Sequence, residues 1–286
     1  MDHVQWDDRP RLRRPVIVAA FEGWNDAADA ASEAARYLKA RWGARPFATI
    51  DPEEFFDFSS TRPQVRLGDA FRREIVWPAT EFSAAALPDA SHDVVVLVGT
   101  EPQLRWRTFC AEVAGVAASL QAEMVITLGA RLADVAHTRP VRVTGTAADA
   151  DLATRLGLER STYEGPTGIV GVLQDTFRSS GVQSASLWAA VPHYVAATPS
   201  PKATLALVQR TAGLLATQVM TADLEQRAID YERQVTEVVA TDDEVSDYVR
   251  RLEESADASR DDPMELQSGD VLAAELEKFL RDQRGE

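Results

Sequence analysis

The chain is short of cysteine, histidine and positive charge. It holds one cysteine, Cys110, in 286 residues, so no intrachain disulfide can form. That excludes a disulfide-stapled secreted scaffold and fits a reducing compartment. Cys110 falls inside a predicted helix, where a structural thiol is the simplest reading. Four histidines at positions 3, 92, 137 and 193 are scattered and offer no metal-ligand spacing. No G-x-S-x-G, H-E-x-x-H, C-x-x-C or EF-hand loop occurs. Neither a metal nor a cofactor is expected. No apolar run reaches the roughly 18 residues that a membrane-spanning helix needs. Residues 1–14 are charged and have no apolar centre, so no signal peptide is expected. These absences point to a soluble, cytoplasmic protein.

Basic residues number 30 against 45 acidic ones, a net charge of −15. The excess is concentrated at one end. Residues 223–286 hold 20 acids and 8 bases, or −12, and the preceding 222 residues carry 22 − 25 = −3. An acidic chain repels phosphate backbones, so nucleic acid is not an expected partner. The acidic end reads as a solvated helical face or as a partner-binding arm.

Hydrophobic residues make up 45% of the chain, ordinary for a globular protein. Residues 15–21 (PVIVAAF), 93–99 (DVVVLVG), 124–129 (MVITLG) and 184–191 (SASLWAAV) are runs without alternation. Such runs suit strands buried on both faces of a largely parallel sheet. Helical patterns follow them near residues 27–43, 103–122 and 201–217, with another at 168–180. Residues 141–145 suggest a short strand and 149–157 a short helix. Between 44 and 90 the pattern is weaker, with short strands at 47–50 and 74–77 and a loop or hairpin between. Strand–helix alternation over 200 residues predicts a three-layer α/β/α sandwich on a mostly parallel mixed sheet. The core domain is expected over 1–220 and an acidic helical extension over 221–286.

In that extension Leu224, Ala228, Tyr231, Val235, Val238, Val245, Val249 and Leu252 recur at spacings of 4 and 3. A break is expected near 241, with Thr241 and Glu244 forming a capping box. Residues 255–269 read as a loop and 270–282 as a last helix. The apolar stripe packs on its own domain or on a partner.

Parallel sheets place ligands beyond the carboxyl ends of their strands. Applied here, that rule gathers Glu22, Asn25 and Asp26 after the first run and Glu101 with Arg105 after the second. It adds His137 and Arg139 after the third, and His193, Tyr194 and Lys202 after the fourth. Asn25 or Asp26 is most simply a helix N-cap, and Ser200 before Pro201 another. Lys202, in a first helical turn, opposes the helix dipole and calls for a carboxylate partner or an anionic ligand. Residues 163–171, with Tyr163 and Thr167, open a helix whose free N–H groups suit a carboxylate or phosphate. The simpler reading there is a turn capped by Thr167. The spacing matches neither the dinucleotide nor the Walker pattern.

These motifs resemble the actinobacterial branch of the proteasome assembly chaperone 2 family. They are Phe21-Glu22-Gly23-Trp24-Asn25-Asp26-Ala27, Gly99-Thr100-Glu101-Pro102, Arg105-Trp106-Arg107, Pro192-His193-Tyr194 and Pro199-Ser200-Pro201-Lys202-Ala203. His137-Thr138-Arg139-Pro140 and Tyr163-Glu164-Gly165-Pro166-Thr167-Gly168 fit as well. The resemblance spans about residues 13–220. It implies a phosphorylase/hydrolase-like α/β/α fold and a role in chaperoning proteasome α-subunits, and it implies no catalytic residue. Some archaeal relatives dock through a C-terminal hydrophobic-Tyr-X tail. This chain ends Asp282-Gln283-Arg284-Gly285-Glu286, so that route is not expected.

The function expected is therefore non-enzymatic assembly or binding through protein contacts, by a homo-oligomer with proteasome subunits among its partners. The alternative is a hydrolase, phosphorylase or ligase acting on a small anionic metabolite. There Glu22 or Glu101 would serve as base and His137 or His193 as acid, with Arg105, Arg139 and Lys202 as anion clamps.

Overall fold

Valine and isoleucine on both sides of a strand leave it no solvent face, and the four apolar runs accordingly make the centre of one sheet. The computed structural model describes residues 2–68, 72–147, 149–160 and 163–261. In chain order the elements are β1 (Val4–Trp6), β2 (Val16–Glu22), α1 (Ala30–Trp42), β3 (Arg45–Ile50), β4 (Gln64–Leu67), β5 (Arg73–Val76), β6 (Thr80–Ala85) and β7 (Val94–Thr100). Then come α2 (Trp106–Ser119), β8 (Met124–Ala133), β9 (Val143–Ala147), α3 (Ala150–Leu156), β10 (Glu159–Arg160), α4 (Ile169–Ser180) and β11 (Gln183–Pro192). The chain goes on with α5 (Pro201–Leu214), α6 (Ala222–Val239) and α7 (Asp243–Asp261).

The main sheet runs β1-β3-β6-β7-β2-β8-β11-β9-β10. Its centre, β7-β2-β8-β11, is parallel throughout, with Val18 beside both Val96 and Ile126. Antiparallel pairs flank it: β6 on β7, β3 on β6 and β1 on β3 at one edge, β9 on β11 at the other. Val16, Val18 and Ala20 face α1 and α5; Ile17, Ala19 and Phe21 face α2 and α4. That two-residue alternation is the three-layer sandwich read at one strand. Four buried alanines of α1 (Ala30, Ala31, Ala34 and Ala35) let its backbone lie close to the sheet. The helices α6 and α7 follow α5, with α6 packed against it.

Several expectations change. β6 was not anticipated: its sequence TEFSAA lacks the branched apolar residues that mark β7, yet Thr80, Phe82 and Ser83 are buried. β5 pairs only with β4, in a separate two-stranded ribbon whose strand residues are all exposed. At the break between α6 and α7 the capping side chain is Asp242, not Thr241. Asp242 Oδ1 accepts from the N–H groups of Glu244 and Val245, at 2.9 and 3.2 Å, whereas the Thr241 hydroxyl donates back to the Val238 carbonyl. A carboxylate is the better acceptor at an N-terminus. Residues 255–261, expected to open a loop, belong to α7, which runs through Asp261. Serine, aspartate and alanine cost an exposed helix only tenths of a kcal/mol each, about 0.7 at most. The helix expected over 270–282 lies outside the described residues.

Candidate functional site

The ends of β2, β7, β8 and β11 share one rim, as their parallel pairing requires. On that rim the candidate side chains form two groups with separate partners.

The first group lies at the ends of β2 and β7. Gly23 has φ +119°, a conformation that favours glycine, and it brings the chain against Glu101. One carboxylate oxygen of Glu101 accepts from the Ile169 N–H at 2.8 Å, the other from the Trp24 N–H at 3.4 Å. Glu101 therefore caps α4 from a different element. Thr167 does not: its hydroxyl lies 3.4 Å from the Gly168 carbonyl and caps nothing. The negative charge expected at this helix N-terminus is supplied by the chain itself. A Cβ on Gly168 would come within 3 Å of Asn25 Oδ1 and Glu101 Oε1, so a larger residue there must displace one or both. Asp26 is buried and its Oδ1 accepts from the Ala31 and Ser32 N–H groups, at 2.7 and 3.0 Å. It caps α1, and burial raises its carboxyl above the usual range in spite of those bonds. Glu22 is held by Arg36 and by the Thr100 hydroxyl. Arg105, with φ +52°, pairs with Glu54.

The second group lies at the ends of β8 and β11, under α6 and α7. His137 is buried. Its Nδ1 lies 2.8 Å from the Tyr194 hydroxyl and its Nε2 3.0 Å from the Thr236 hydroxyl on α6. Thr236 already donates to the Glu232 carbonyl at 2.8 Å, so its oxygen is left to accept. Nε2 therefore carries the proton and Nδ1 accepts from Tyr194, a neutral imidazole assigned from the network. Burial first, and the Lys202 ammonium second, hold His137 below its ordinary value. Burial pushes Tyr194 up to about 12. Lys202 reaches the Glu232 carboxylate on α6 and the His137 carbonyl. Arg139 binds Asp257 through Nε and a terminal nitrogen, at 2.9 and 2.6 Å, and Glu253 at 3.3 Å, both on α7. His193 lies 3.0 Å from Asp134, and Tyr248 of α7 donates to the same carboxylate at 2.9 Å. Inside this polar ring Ala136 and Tyr194 pack on Tyr231, Val235, Val239 and Val249.

Of the remaining candidates, Tyr163 is exposed and donates to the Pro166 carbonyl at 2.9 Å. Thr236, Glu232, Glu253, Asp257, Asp134 and Tyr248 were not anticipated. The apolar spacing of the extension announced a face in need of burial but not what it would cover. Among the described residues no three His, Cys, Asp or Glu side chains are placed to share a metal ion. No described helix is long and apolar enough to cross a membrane.

The model of the PAC2 family matches residues 20–239. The chain belongs to the PAC2 family. A PAC2 family protein from Streptomyces avermitilis is 46% identical, with TM-score 0.77, covering 82% of this PAC2 chain and 99% of its own. A Mycobacterium tuberculosis proteasome-assembly chaperone homologue is 47% identical, with TM-score 0.74 and the same coverage, 82% and 99%. An archaeal proteasome activator from Pyrococcus furiosus shares the fold at 18% identity and TM-score 0.67, covering 82% of this chain and 97% of its own. No curated protein matches the sequence.

Proposed function

We propose that this PAC2 chain is a non-enzymatic assembly protein of the cytoplasm. It acts through protein–protein contacts, with proteasome subunits as partners and with copies of itself. Residues 1–220 are its core, and the acidic extension from 221 is latched onto that core through α6 and α7. One observation carries the reading: the side chains that would make the rim catalytic are engaged inside the molecule. Glu101 caps a helix, His137 is wedged neutral between Tyr194 and Thr236, and Lys202 and Arg139 hold α6 and α7. A general base or anion clamp needs bonding capacity left over for a substrate, and these groups spend theirs on the fold. The likeness at 47% identity to a proteasome-assembly chaperone homologue supports the choice of partner.

The test uses purified proteasome α and β chains from the same source, followed by native gel with and without the full chain. A complex with α chains, or faster appearance of assembled particles, is expected. Neither at any salt concentration would reject the partner. The enzymatic alternative is tested separately by thermal shift with nucleosides, sugar phosphates and amino acids. A rise in Tm lost in both Glu101→Ala and His193→Ala would favour it.

A further inference from the structure

We propose that the β4–β5 arm of one copy seats in the groove between α5 and α6 of the next copy. This deepens the self-association just proposed and rests on it.

The arm is an antiparallel ribbon of two four-residue strands, with Val65 opposite Ile75 and Leu67 opposite Arg73. By the two-residue alternation of a strand, Val65, Leu67 and Ile75 share one face, and Trp77 continues it. Their exposures are 63%, 67%, 60% and 45%. A two-stranded ribbon is marginal in water without something packed on it. A clustered apolar face on a soluble protein marks a contact. At its root Trp77 meets Phe58 edge-on at 4.8 Å, and Phe58 packs with the core on the α2 and α4 side. The arm thus leaves the molecule on the side away from α5.

The groove measures about 620 Å³ and lies between α5 and α6. Leu205, Ala228 and Ile229 are its apolar lining, and Glu225 and Glu237 line it beside them. Its two cations are already matched, Lys202 by Glu232 and Arg233 by Asp230. Charge decides the occupant. Residues 62–77 carry Arg62, Arg66, Arg72 and Arg73 against Asp69 and Glu74, whereas the groove is lined by Glu225, Glu232 and Glu237 against Lys202 and Arg233. An apolar, cationic arm and an apolar, anionic groove are complementary, and one chain carries both on different sides. A second copy is the partner that supplies the missing half in each case. The contact is head-to-tail, so it closes rings or extends chains rather than making a two-fold dimer. Added salt weakens it.

Sedimentation velocity of the full chain over a range of concentrations is the test. The chain is expected to sediment above its 31.3 kDa mass. Val65→Ser/Leu67→Ser/Ile75→Ser in the arm, and Ile229→Asp in the groove, each weaken association about tenfold or more. All four positions are exposed, so the fold is retained, as far-UV circular dichroism checks. Mixing arm variant with groove variant restores a two-chain complex, because one intact arm meets one intact groove. Arg66→Glu/Arg73→Glu weakens association and Glu225→Arg/Glu237→Arg introduced into that variant recovers it. A wild-type chain that stays monomeric overturns the proposal. So does an oligomer indifferent to arm and groove variants, or a mixture that does not pair. The native-gel test of proteasome binding needs no self-association, so the two proposals fail separately.

Discussion

Glu101 places a negative charge on the first N–H of α4, and Gly168 leaves room for it. Removing the carboxylate leaves the Ile169 and Trp24 N–H groups short of an acceptor. Glu101→Ala is expected to cost about 1–2 kcal/mol, read by urea unfolding. Gly168→Ala overpacks the same spot, since its Cβ would come 2.7 Å from Glu101 Oε1, and is expected to cost about 1–3 kcal/mol. Loss of enzymatic turnover with unchanged stability in Glu101→Ala would contradict the capping role. His137 sets a pH dependence. Its unfolded value is near 6.5 and its folded value lies lower. Between those values the unfolded chain binds more protons, so stability is complete above about pH 6.5 and falls as pH drops towards the folded value. Protonation of Nδ1 ends the donation from Tyr194. Lys202, Glu232 and Glu253 also face the ring, the first opposing protonation and the carboxylates favouring it. His92 shifts in the same direction, so the informative measurement is the difference between the wild type and His137→Gln. The variant is expected to show a shallower loss of stability between pH 7 and 5. An identical slope would remove His137 from the latch.

Across α6 and α7, apolar burial outweighs the ion pairs. Val235→Ala removes a buried side chain from the cluster under α6 and α7 and is expected to cost about 2 kcal/mol. Arg139→Ala breaks partly exposed pairs with Glu253 and Asp257 and is expected to cost about 1 kcal/mol or less. Denaturant midpoints of the two variants check the order. The β4–β5 arm should exchange its amide hydrogens quickly in dilute solution and slow down as concentration rises, while β2 and β8 stay protected throughout. What could be read from the sequence follows the same physics. β2, β7, β8 and β11 were readable because strands buried on both faces need unbroken apolar runs. Asp26 and Ser200 were readable as caps because capping is local. β6 was hidden because Thr80 and Ser83 are buried without being apolar. The partners of His137 and Arg139 were hidden because Thr236 lies 99 residues and Asp257 118 residues further along the chain, beyond any local pattern.

Over the whole molecule, parallel strand direction gathers the candidate side chains on one rim, and the fold then uses them there. One group ties β2, β7 and α4 together; the other latches an acidic helical pair onto a nearly neutral core. That arrangement leaves the broad surfaces, the arm, the groove and the acidic helices as the parts that can meet a partner. The most direct measurement is hydrogen exchange along α6 and α7 in His137→Ala/Lys202→Met compared with the wild type. Exchange in both helices should rise about tenfold or more while the amides of β2 and β7 keep their protection. Unchanged protection in α6 and α7 would mean that these rim residues do not hold the extension, and that they are free for chemistry of their own.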